Sequence, residues 1–374
     1  MNIAEITTYK EGGVYTHVAE LVKRLQHPSL IITGNSKLSG FHKDGKISFF
    51  HIPCMISLWE LYFITAPGSY KKVRQVIAEK NIDLLHFHNP LFTFGGALLR
   101  KSTLPKIMTT HYVIDFKGNR VVASLYKSII RWITKSIAKH VDMIVCVNNE
   151  YLPIYKQWGI DEKKLVMIPN GIDTDKFSPG PSSIKKKLDC EHLLVYWGRL
   201  GYQKNIALLI DAFKKIKTPH AKLAIIGKGP DLKKLQTLAG DNNNVLFPGY
   251  LPDDELLEYA RGADIAVLPS RGESWGLVIG EAMACGLPVI SSDVGMAQEL
   301  LGEERGVLLT KETPSELAGA IDALLLDKKK AQAMGKKAHS FIVNRYSWDE
   351  VARQLEALYQ RVAASKRSLK KVRT

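Results

Sequence analysis

The chain has few cysteines, a deficit of acid and no long apolar run. Its four cysteines, Cys54, Cys146, Cys190 and Cys285, are scattered, with no pair at metal-ligand or redox spacing. That argues against a disulfide framework and fits a reduced, cytoplasmic chain, with Cys146 and Cys285 as packing residues in apolar runs. No stretch approaches the ~18–20 apolar residues that span a bilayer. The most apolar run, Ile56 to Ile64, contains Glu60 and reads as a packed or interfacial segment. Met1 to Ile6 leads straight into a strand, so no signal peptide is expected there. Asp and Glu number 37 against 52 Lys and Arg, a net charge of +15. Such a charge suits nucleic acid, an anionic membrane or anionic small molecules. The aromatics are not interleaved with basic residues as in a stacking platform, and no nucleic-acid-binding signature appears, so nucleic acid is not expected.

What is present is a globular composition, 45% hydrophobic and 24% charged, in 374 residues. That length exceeds one ordinary core and predicts two domains. Strand-like and helix-like runs alternate throughout. Strands are expected at Ile3–Thr7, Leu30–Thr33, Asp83–Phe87, Lys106–Thr110, Met143–Val147 and Leu165–Ile168, with a helix after Gly13 and another at Ser69–Glu79. A break rich in Pro, Ser, Gly and Lys at Phe177 to Lys187 reads as the linker. The pattern then repeats at Leu193–Trp197, Lys222–Ile226, Val245–Phe247, Ile265–Leu268, Pro288–Ser291 and Gly306–Leu309. Two doubly wound parallel-sheet domains follow from this, facing each other across a cleft at their strand ends.

The chemistry concentrates in the second half. Ala266 to Ala282 reads as a buried strand, a tight loop and a helix beginning near Trp275. Glu273 and Glu281 are eight positions apart, one in the loop and one in the helix. They are separated by roughly 8 Å of helix rise. Between them lie the first-turn N–H groups, an anion site with the helix dipole behind it. Such a surface suits a ligand with hydroxyls at its ends and a diphosphate between, as in a nucleotide-sugar. Arg199 and Lys204 follow the strand Leu193–Trp197 and flank its loop, offering a guanidinium fork and a point charge to phosphate. Taken singly, each of these residues also fits a solvated surface role.

In the first half, Gly12-Gly13 follows the first strand and opens a helix, where glycine allows close approach to a ligand. His111 ends the strand Lys106–Thr110 and fits either a structural or a substrate-facing role. His86 and His88 alternate in a strand beside Asn89, but no Cys or neighbouring carboxylate completes a metal set, so no metal is expected. The helix from about Arg120 to Ala138 sets Lys127, Arg131 and Lys135 at steps of four, with Leu125, Ile129, Trp132, Ile133 and Ile137 on another face. It reads as a packed amphipathic helix or as a basic, Trp-bearing face on an anionic membrane. The basic end, Lys366, Arg367, Lys370, Lys371 and Arg373, supports the second reading.

Several motifs together carry a family resemblance: Gly12-Gly13-Val14, His86-Phe87-His88-Asn89-Pro90, Thr110-His111, Ile168 to Asp173, Gly198-Arg199-Leu200 with Lys204-Asn205, and Glu273 to Glu281 running on to Ile290. The chain resembles a retaining glycosyltransferase of the GT-B fold, family 4 (glycosyl transferases group 1). The resemblance implies transfer of a hexosyl group from a UDP- or GDP-sugar to a lipid-linked or surface-glycan saccharide, without a metal or other cofactor. It implies Arg199, Lys204 and the backbone at Trp275, Gly276 and Leu277 on the diphosphate, and Glu273 on sugar hydroxyls. Glu281 then holds the ribose, Tyr250 and Leu251 border the base, Gly12 and Gly13 border the donor, and His111 lies beside the transferred sugar. Asp173-Thr174-Asp175 resembles a metal element of other glycosyltransferases but sits in a loop this family keeps for structural reasons. Tyr112 follows His111 where the family often has Asp, with Asp115 further on, and Met296 follows Gly295 where it often has a second Gly. The implied domains are residues 1–180 with a returning helix at about 346–362, residues 188–345, and a basic tail at 363–374. The rival functions are a GT-B-fold sugar-nucleotide epimerase or hydrolase and a non-catalytic nucleotide-sugar-binding protein. A peripheral position on the inner membrane face is expected.

Overall fold

The computed structural model describes residues 1–7, 13–35, 38–45, 47–58, 61–65, 68–88, 94–111, 120–273 and 275–371. The chain divides into two compact units. The first comprises Met1–Ile114, Ser124–Gly171 and Trp348–Thr374, and the second Asp115–Ala123 and Ile172–Ser347. The stretch Phe177–Lys187, expected to be the linker, therefore falls inside the second unit; Ile184–Leu188 there is a short helix with Ile184 buried.

The first unit is built on one sheet. Its strands are β1 (Ile3–Thr7), β2 (Ser29–Asn35), β3 (Gly40–Asp44), β4 (Ile47–Leu58), β5 (Leu61–Thr65), β6 (Leu84–His88), β7 (Lys106–Thr110), β8 (Met143–Cys146) and β9 (Leu165–Met167). They lie in the order β3-β4-β2-β1-β6-β7-β8-β9, with β5 on β4. The strands from β4 to β9 along this path pair parallel, while β3 and β5 pair antiparallel with β4. β1, β6 and β7 are buried along their whole length, as parallel strands covered on both faces must be. The antiparallel edge was not expected from the sequence. Asp44-Gly45, with Gly45 at φ +54°, is the hairpin signal that marks it. Of the apolar run, Ile56–Leu58 lies in β4 and Leu61–Ile64 in β5, paired antiparallel.

The chain's last helix, Trp348–Lys371, belongs to this first unit. Trp348, Val351, Leu355, Leu358, Tyr359 and Val362 recur at helical spacing and pack in one core with Ile3, Leu21, Leu84, Ile107, Val145 and Ile168. A Cβ on Gly171 would stand 2.3 Å from the Trp348 ring, so glycine is what lets the Pro169-Asn170-Gly171 turn lie against it. Residues 363–371 continue the helix, and Lys366 pairs with Asp142 at 2.6 Å.

The helix Arg120–Ala138 departs from expectation. Ile130, Ile133 and Ile137 are buried, but Leu125, Ile129 and Trp132 are 64%, 46% and 67% exposed. At 100° per residue these three centre roughly 105° round the helix from the buried isoleucines, so the apolar face is wider than its packed part and one edge of it points outward. Arg131 and Lys135 are exposed on the side opposite the buried isoleucines. Among the described residues no helix is long and apolar enough to cross a membrane.

The second unit holds β10 (His192–Trp197), β11 (Ala221–Ile226), β12 (Val245–Gly249), β13 (Ile265–Leu268), β14 (Val289–Ser292) and β15 (Val307–Leu309), in the order β12-β11-β10-β13-β14-β15. All its pairings are parallel. Leu355→Ala, at a site 1% exposed, is expected to destabilise the protein by about 3 kcal/mol. Denaturant unfolding monitored by circular dichroism checks this; a loss below about 0.5 kcal/mol would mean that the last helix is not part of that core.

Candidate active site

Each sheet reverses its strand order once, between β1 and β6 in the first unit and between β10 and β13 in the second. At such a point the crossovers leave on opposite faces and open a crevice beyond the strands' carboxyl ends, where ligands bind in open α/β sheets. Arg199, Lys204 and Glu273 follow the strands of the second of these places, while Tyr250 and Leu251 follow β12 at the edge of that sheet.

In the second unit Arg199 and Lys204 follow β10, and Glu273 follows β13 just before the helix Leu277–Ala284. Arg271 ties the two loops together. Its backbone N–H donates to the Gln203 carbonyl at 2.7 Å and its guanidinium to the Tyr202 carbonyl at 2.7 Å. Lys204 Nζ then reaches Glu273 Oε1 at 2.5 Å, and Ser270 Oγ donates to the same oxygen at 2.8 Å. The Arg199 guanidinium is exposed. Gly276, at φ +96°, is the N-cap of this helix and offers no side chain to its first turn, whose N–H groups and dipole suit an anion. Trp275 is buried and packs edge-on against Tyr346, which limits it to backbone contacts with a ligand; Leu277 is partly buried.

Glu281 Oε2 accepts a hydrogen bond from Trp197 Nε1 at 2.7 Å. Burial raises its carboxyl pKa while the indole N–H opposes the rise. Tyr250 is exposed with Lys228 Nζ 5.0 Å from its ring centre, and Leu251 is partly buried. Gly295 sits at φ +61°, where a Cβ would lie 2.9 Å from Glu273 Cβ and 3.0 Å from the Trp275 carbonyl oxygen. Glycine there keeps the turn against Glu273, and Met296 beside it is buried. Sequence reasoning missed Trp197, Ser270 and Lys228. Their one signal is position: each lies within three residues of a β-strand's carboxyl end in this sheet.

In the first unit Gly12 lies outside the described residues, and Gly13 opens the helix Gly13–Arg24. His111 follows β7. The i, i+2 alternation puts Glu5, His86, His88, Thr109 and His111 on one face of the sheet. Glu5 Oε2 takes His88 Nε2 at 2.8 Å and His86 Nδ1 at 3.0 Å, and Tyr359 OH donates to Glu5 Oε1 at 3.1 Å. His86 also meets Tyr359 OH and Thr109 Oγ1, each at 2.7 Å. His88 Nδ1 stands 3.2 Å from His111 Nε2, and the His17 ring packs edge-on to His111 with centroids 4.8 Å apart. Glu5, His17 and Tyr359 were not found in the sequence, since nothing local links positions 354 residues apart.

A profile described as "Glycosyl transferases group 1" matches residues 182–360, and one described as "Glycosyltransferase Family 4" matches residues 11–176. The D-inositol 3-phosphate glycosyltransferase of Corynebacterium jeikeium is 30% identical over 302 residues, covering 74% of this chain and 72% of that one. The chain belongs to the group 1 glycosyltransferases. The phosphatidyl-myo-inositol mannosyltransferase of Mycolicibacterium smegmatis is 27% identical over 368 residues, 95% of this chain and 91% of that one. Among solved structures, Anabaena HepE in complex with UDP-glucose aligns with TM-score 0.76 at 20% identity over 96% of this chain and 99% of that one. The fold is GT-B and the protein is a transferase.

Among the described residues of this glycosyltransferase, two trios place candidate metal-ligand atoms within 4.8 Å of one another: His17, His88 and His111, and Glu5, His86 and His88. The expectation that no carboxylate completes a set around His86 and His88 is therefore corrected, because β1 pairs in register with β6 and sets Glu5 opposite His86. The donor set fits hydrogen bonding better than an ion. Glu5 and His111 already engage both ring nitrogens of His88. Asp173 Oδ1 accepts the Lys176 N–H at 3.1 Å, a turn cap that gives its loop a structural role.

Burial governs the ionisation of this cluster. It lowers His88 to about 4, aided by repulsion from His86, and holds His17 and His111 well below their ordinary value. Burial raises the Glu5 carboxyl, but His86 and the hydrogen bonds from His86 and His88 prevail and hold it far below the carboxylate range. A folded-state pKa below the unfolded one means that the unfolded chain takes up protons first. Histidine-linked stability is thus complete above about pH 6.5 and is lost as the pH falls toward 4, with Glu5 adding a loss below its unfolded pKa of about 4.3. His88 alone is expected to cost about 2 kcal/mol of stability between pH 7 and pH 5. Unfolding midpoints at the two pH values check this, and an unchanged midpoint would mean that these imidazoles are charged in the fold.

Proposed function

We propose that the enzyme transfers a hexosyl group from a nucleoside-diphosphate sugar, UDP-hexose or GDP-mannose, to a lipid-linked or surface-glycan saccharide, with retention of anomeric configuration. The observation that carries this reading is the switch-point loop pair of the second unit. Lys204 meets Glu273 there, in the loops that lead to the N-terminus of the helix Leu277–Ala284, and a cation, a carboxylate and first-turn N–H groups together suit the groups of a sugar diphosphate. The UDP-glucose in the HepE structure and the mannosyltransferase name of the Mycolicibacterium relative support the donor class.

The leaving group is a diphosphate, so stabilising its developing negative charge is the main task. Arg199, Lys204 and the backbone N–H groups at Trp275, Gly276 and Leu277 supply that stabilisation without a metal or other cofactor. Glu273 takes sugar hydroxyls, Glu281 takes the ribose with its carboxylate oriented by Trp197, and Tyr250 and Leu251 border the base. Gly12 and Gly13 border the donor, and His111 hydrogen-bonds the transferred sugar. Attack comes from the face the diphosphate leaves, with the departing phosphate taking the acceptor's proton, so no side chain serves as nucleophile. The comparisons lend nothing to an epimerase, a hydrolase or a non-catalytic binding protein. Arg199→Ala and Lys204→Ala are each expected to lower turnover by about two orders of magnitude or more, while EDTA leaves turnover unchanged. Near-normal turnover in both variants, or strict metal dependence, would sink the scheme; products from a UDP- and GDP-sugar panel, identified by mass spectrometry, name the donor.

The acceptor class rests on the outward stripe of Leu125, Ile129 and Trp132 with Lys127, Arg131 and Lys135 beside it. An apolar stripe flanked by cations suits the interface of an anionic membrane, each cation contributing about 1 kcal/mol near the surface. The enzyme then works from the cytoplasm as a peripheral protein on the inner membrane face. Flotation with anionic vesicles is expected to carry the protein, to weaken with salt, and to fail when Lys127, Arg131 and Lys135 become Glu. Equal partition onto neutral vesicles, or binding unchanged in the triple variant, would argue for a soluble saccharide acceptor.

A further inference from the structure

A cavity of about 360 Å³ opens at the amino ends of the second sheet. His192 begins β10, Asp264 precedes β13 and Pro288 precedes β14, and all three line it. These strands are parallel, so this is the edge opposite the loops that carry Arg199, Lys204 and Glu273. Four helices complete the wall. Asp253–Gly262, Leu277–Ala284 and Pro314–Leu326 finish at the cavity, and Lys328–Tyr346 begins there. The volume falls within the ~300–1,000 Å³ usual for small-molecule sites.

The charges around it are unequal. Lys185, Arg261 and Lys328 face one carboxylate, Asp264. Asp264 is engaged at both oxygens: Oδ1 takes Lys185 Nζ at 2.8 Å and Oδ2 takes the Leu193 N–H at 2.8 Å. Arg261 donates from Nε to the Ser178 carbonyl at 3.0 Å and from Nη2 to Ser178 Oγ at 3.4 Å. Both partners are neutral, so they do not cancel its charge. Lys328 is exposed at the first position of its helix. Burial pushes the Cys285 thiol up to about 12, so it adds no negative charge. The three helices that finish here bring partial negative charge and carbonyl acceptors, and the one that begins here brings partial positive charge. At about half a unit per terminus these temper the cations, leaving the cavity about one unit positive.

The lining also contains an unmet polar group. His192 is 9% exposed and its Nδ1 is buried without a hydrogen-bond partner. Buried polar atoms are rarely left so, and a ligand or an ordered water is what commonly satisfies one. Leu287, Leu324 and Leu325 give the rest of the wall an apolar surface on which the C–H face of a small polyol can lie.

We propose that this cavity binds a small hydroxylated organic anion, a sugar phosphate or a sugar acid, with its anionic group drawn to Arg261 and Lys328 and its hydroxyls to His192 and the helix-end carbonyls. A purely apolar ligand would leave the imidazole and the carbonyls unmet, and a neutral sugar would leave the cations unmet. The site is separate from the donor site. The helix Leu277–Ala284 starts at the donor loops and ends at the cavity, about 12 Å further along its axis, so both can be filled at once.

The test is isothermal titration calorimetry on the full chain with ribose 5-phosphate and gluconate as probes and ribose and inorganic phosphate as controls. At least one probe is expected to bind one equivalent with a Kd of about 1 mM or tighter. Each control is expected to bind about tenfold or more weakly than that probe. Excess UDP should leave the probe's affinity unchanged. The His192 ring signals in nuclear magnetic resonance spectra, assigned with His192→Gln, are expected to move during the titration. Lys328→Glu reverses a cation on an exposed side chain and Ala331→Trp fills the cavity from the same helix. Each is expected to weaken the probe about tenfold or more, with an unfolding midpoint close to the wild type. Failure of both probes overturns the proposal. So does competition by UDP, a control that binds as tightly as the probe, an unmoved His192 ring, or full affinity in Lys328→Glu and Ala331→Trp.

Discussion

A parallel sheet has to send its crossovers to one face or the other, and the place where that direction changes is left uncovered at the strands' carboxyl ends. Both sheets of this protein meet that constraint once, between β1 and β6 and between β10 and β13. The rest of the candidate site follows from it. Arg199 and Lys204 leave β10 on one side, Ser270 and Glu273 leave β13 on the other, and Arg271 bridges the two loops through carbonyls of Tyr202 and Gln203. Lys204 and Glu273 meet because the sheet places their strands side by side, although 69 residues separate them in the chain.

The first unit solves a different problem at its own switch point. It buries a carboxylate, Glu5, among strands that are covered on both faces. The charge is tolerated because His86, His88 and Tyr359 direct donors at it, and Tyr359 is available only because the last helix returns to this unit. A helix that looks like a packing element on its Trp348, Val351 and Leu355 face thus also completes a polar network. Removing one partner from such a network leaves a desolvated group uncompensated, which costs more than the bond itself was worth.

Part of the positive charge lies in two places. Arg199 and Lys204 follow a strand at the carboxyl end of the second sheet. Some of it lies on the helix Arg120–Ala138 beside Leu125, Ile129 and Trp132, exposed apolar side chains that no element of the described structure buries. An apolar stripe of this kind is more informative than the charge alone, because a solvated basic helix has no need of an exposed tryptophan.

The alternation of strand and helix, the two parallel sheets and the order of the motifs were legible in the sequence, because fully buried strands and amphipathic helices write their periods locally. The sequence also placed Arg199, Lys204 and Glu273 in loops after strands and Glu281 in the helix that follows, as the structure has them. The antiparallel edge β3–β4–β5 was not read, since its strands are short or mixed in polarity and only Asp44-Gly45 announces the turn. For Leu125, Ile129 and Trp132 the sequence left a packed and an outward reading open: periodicity groups apolar positions but does not say which group meets the core. Only the tertiary structure decided the partners of Glu5. Strand register sets it opposite His86, the neighbouring strand adds Thr109 and His111, and a helix from the far end of the chain supplies Tyr359. Hydrogen bonds act over about 3 Å of space whatever the distance along the chain, so a network assembled from four elements leaves no periodic trace in any one of them.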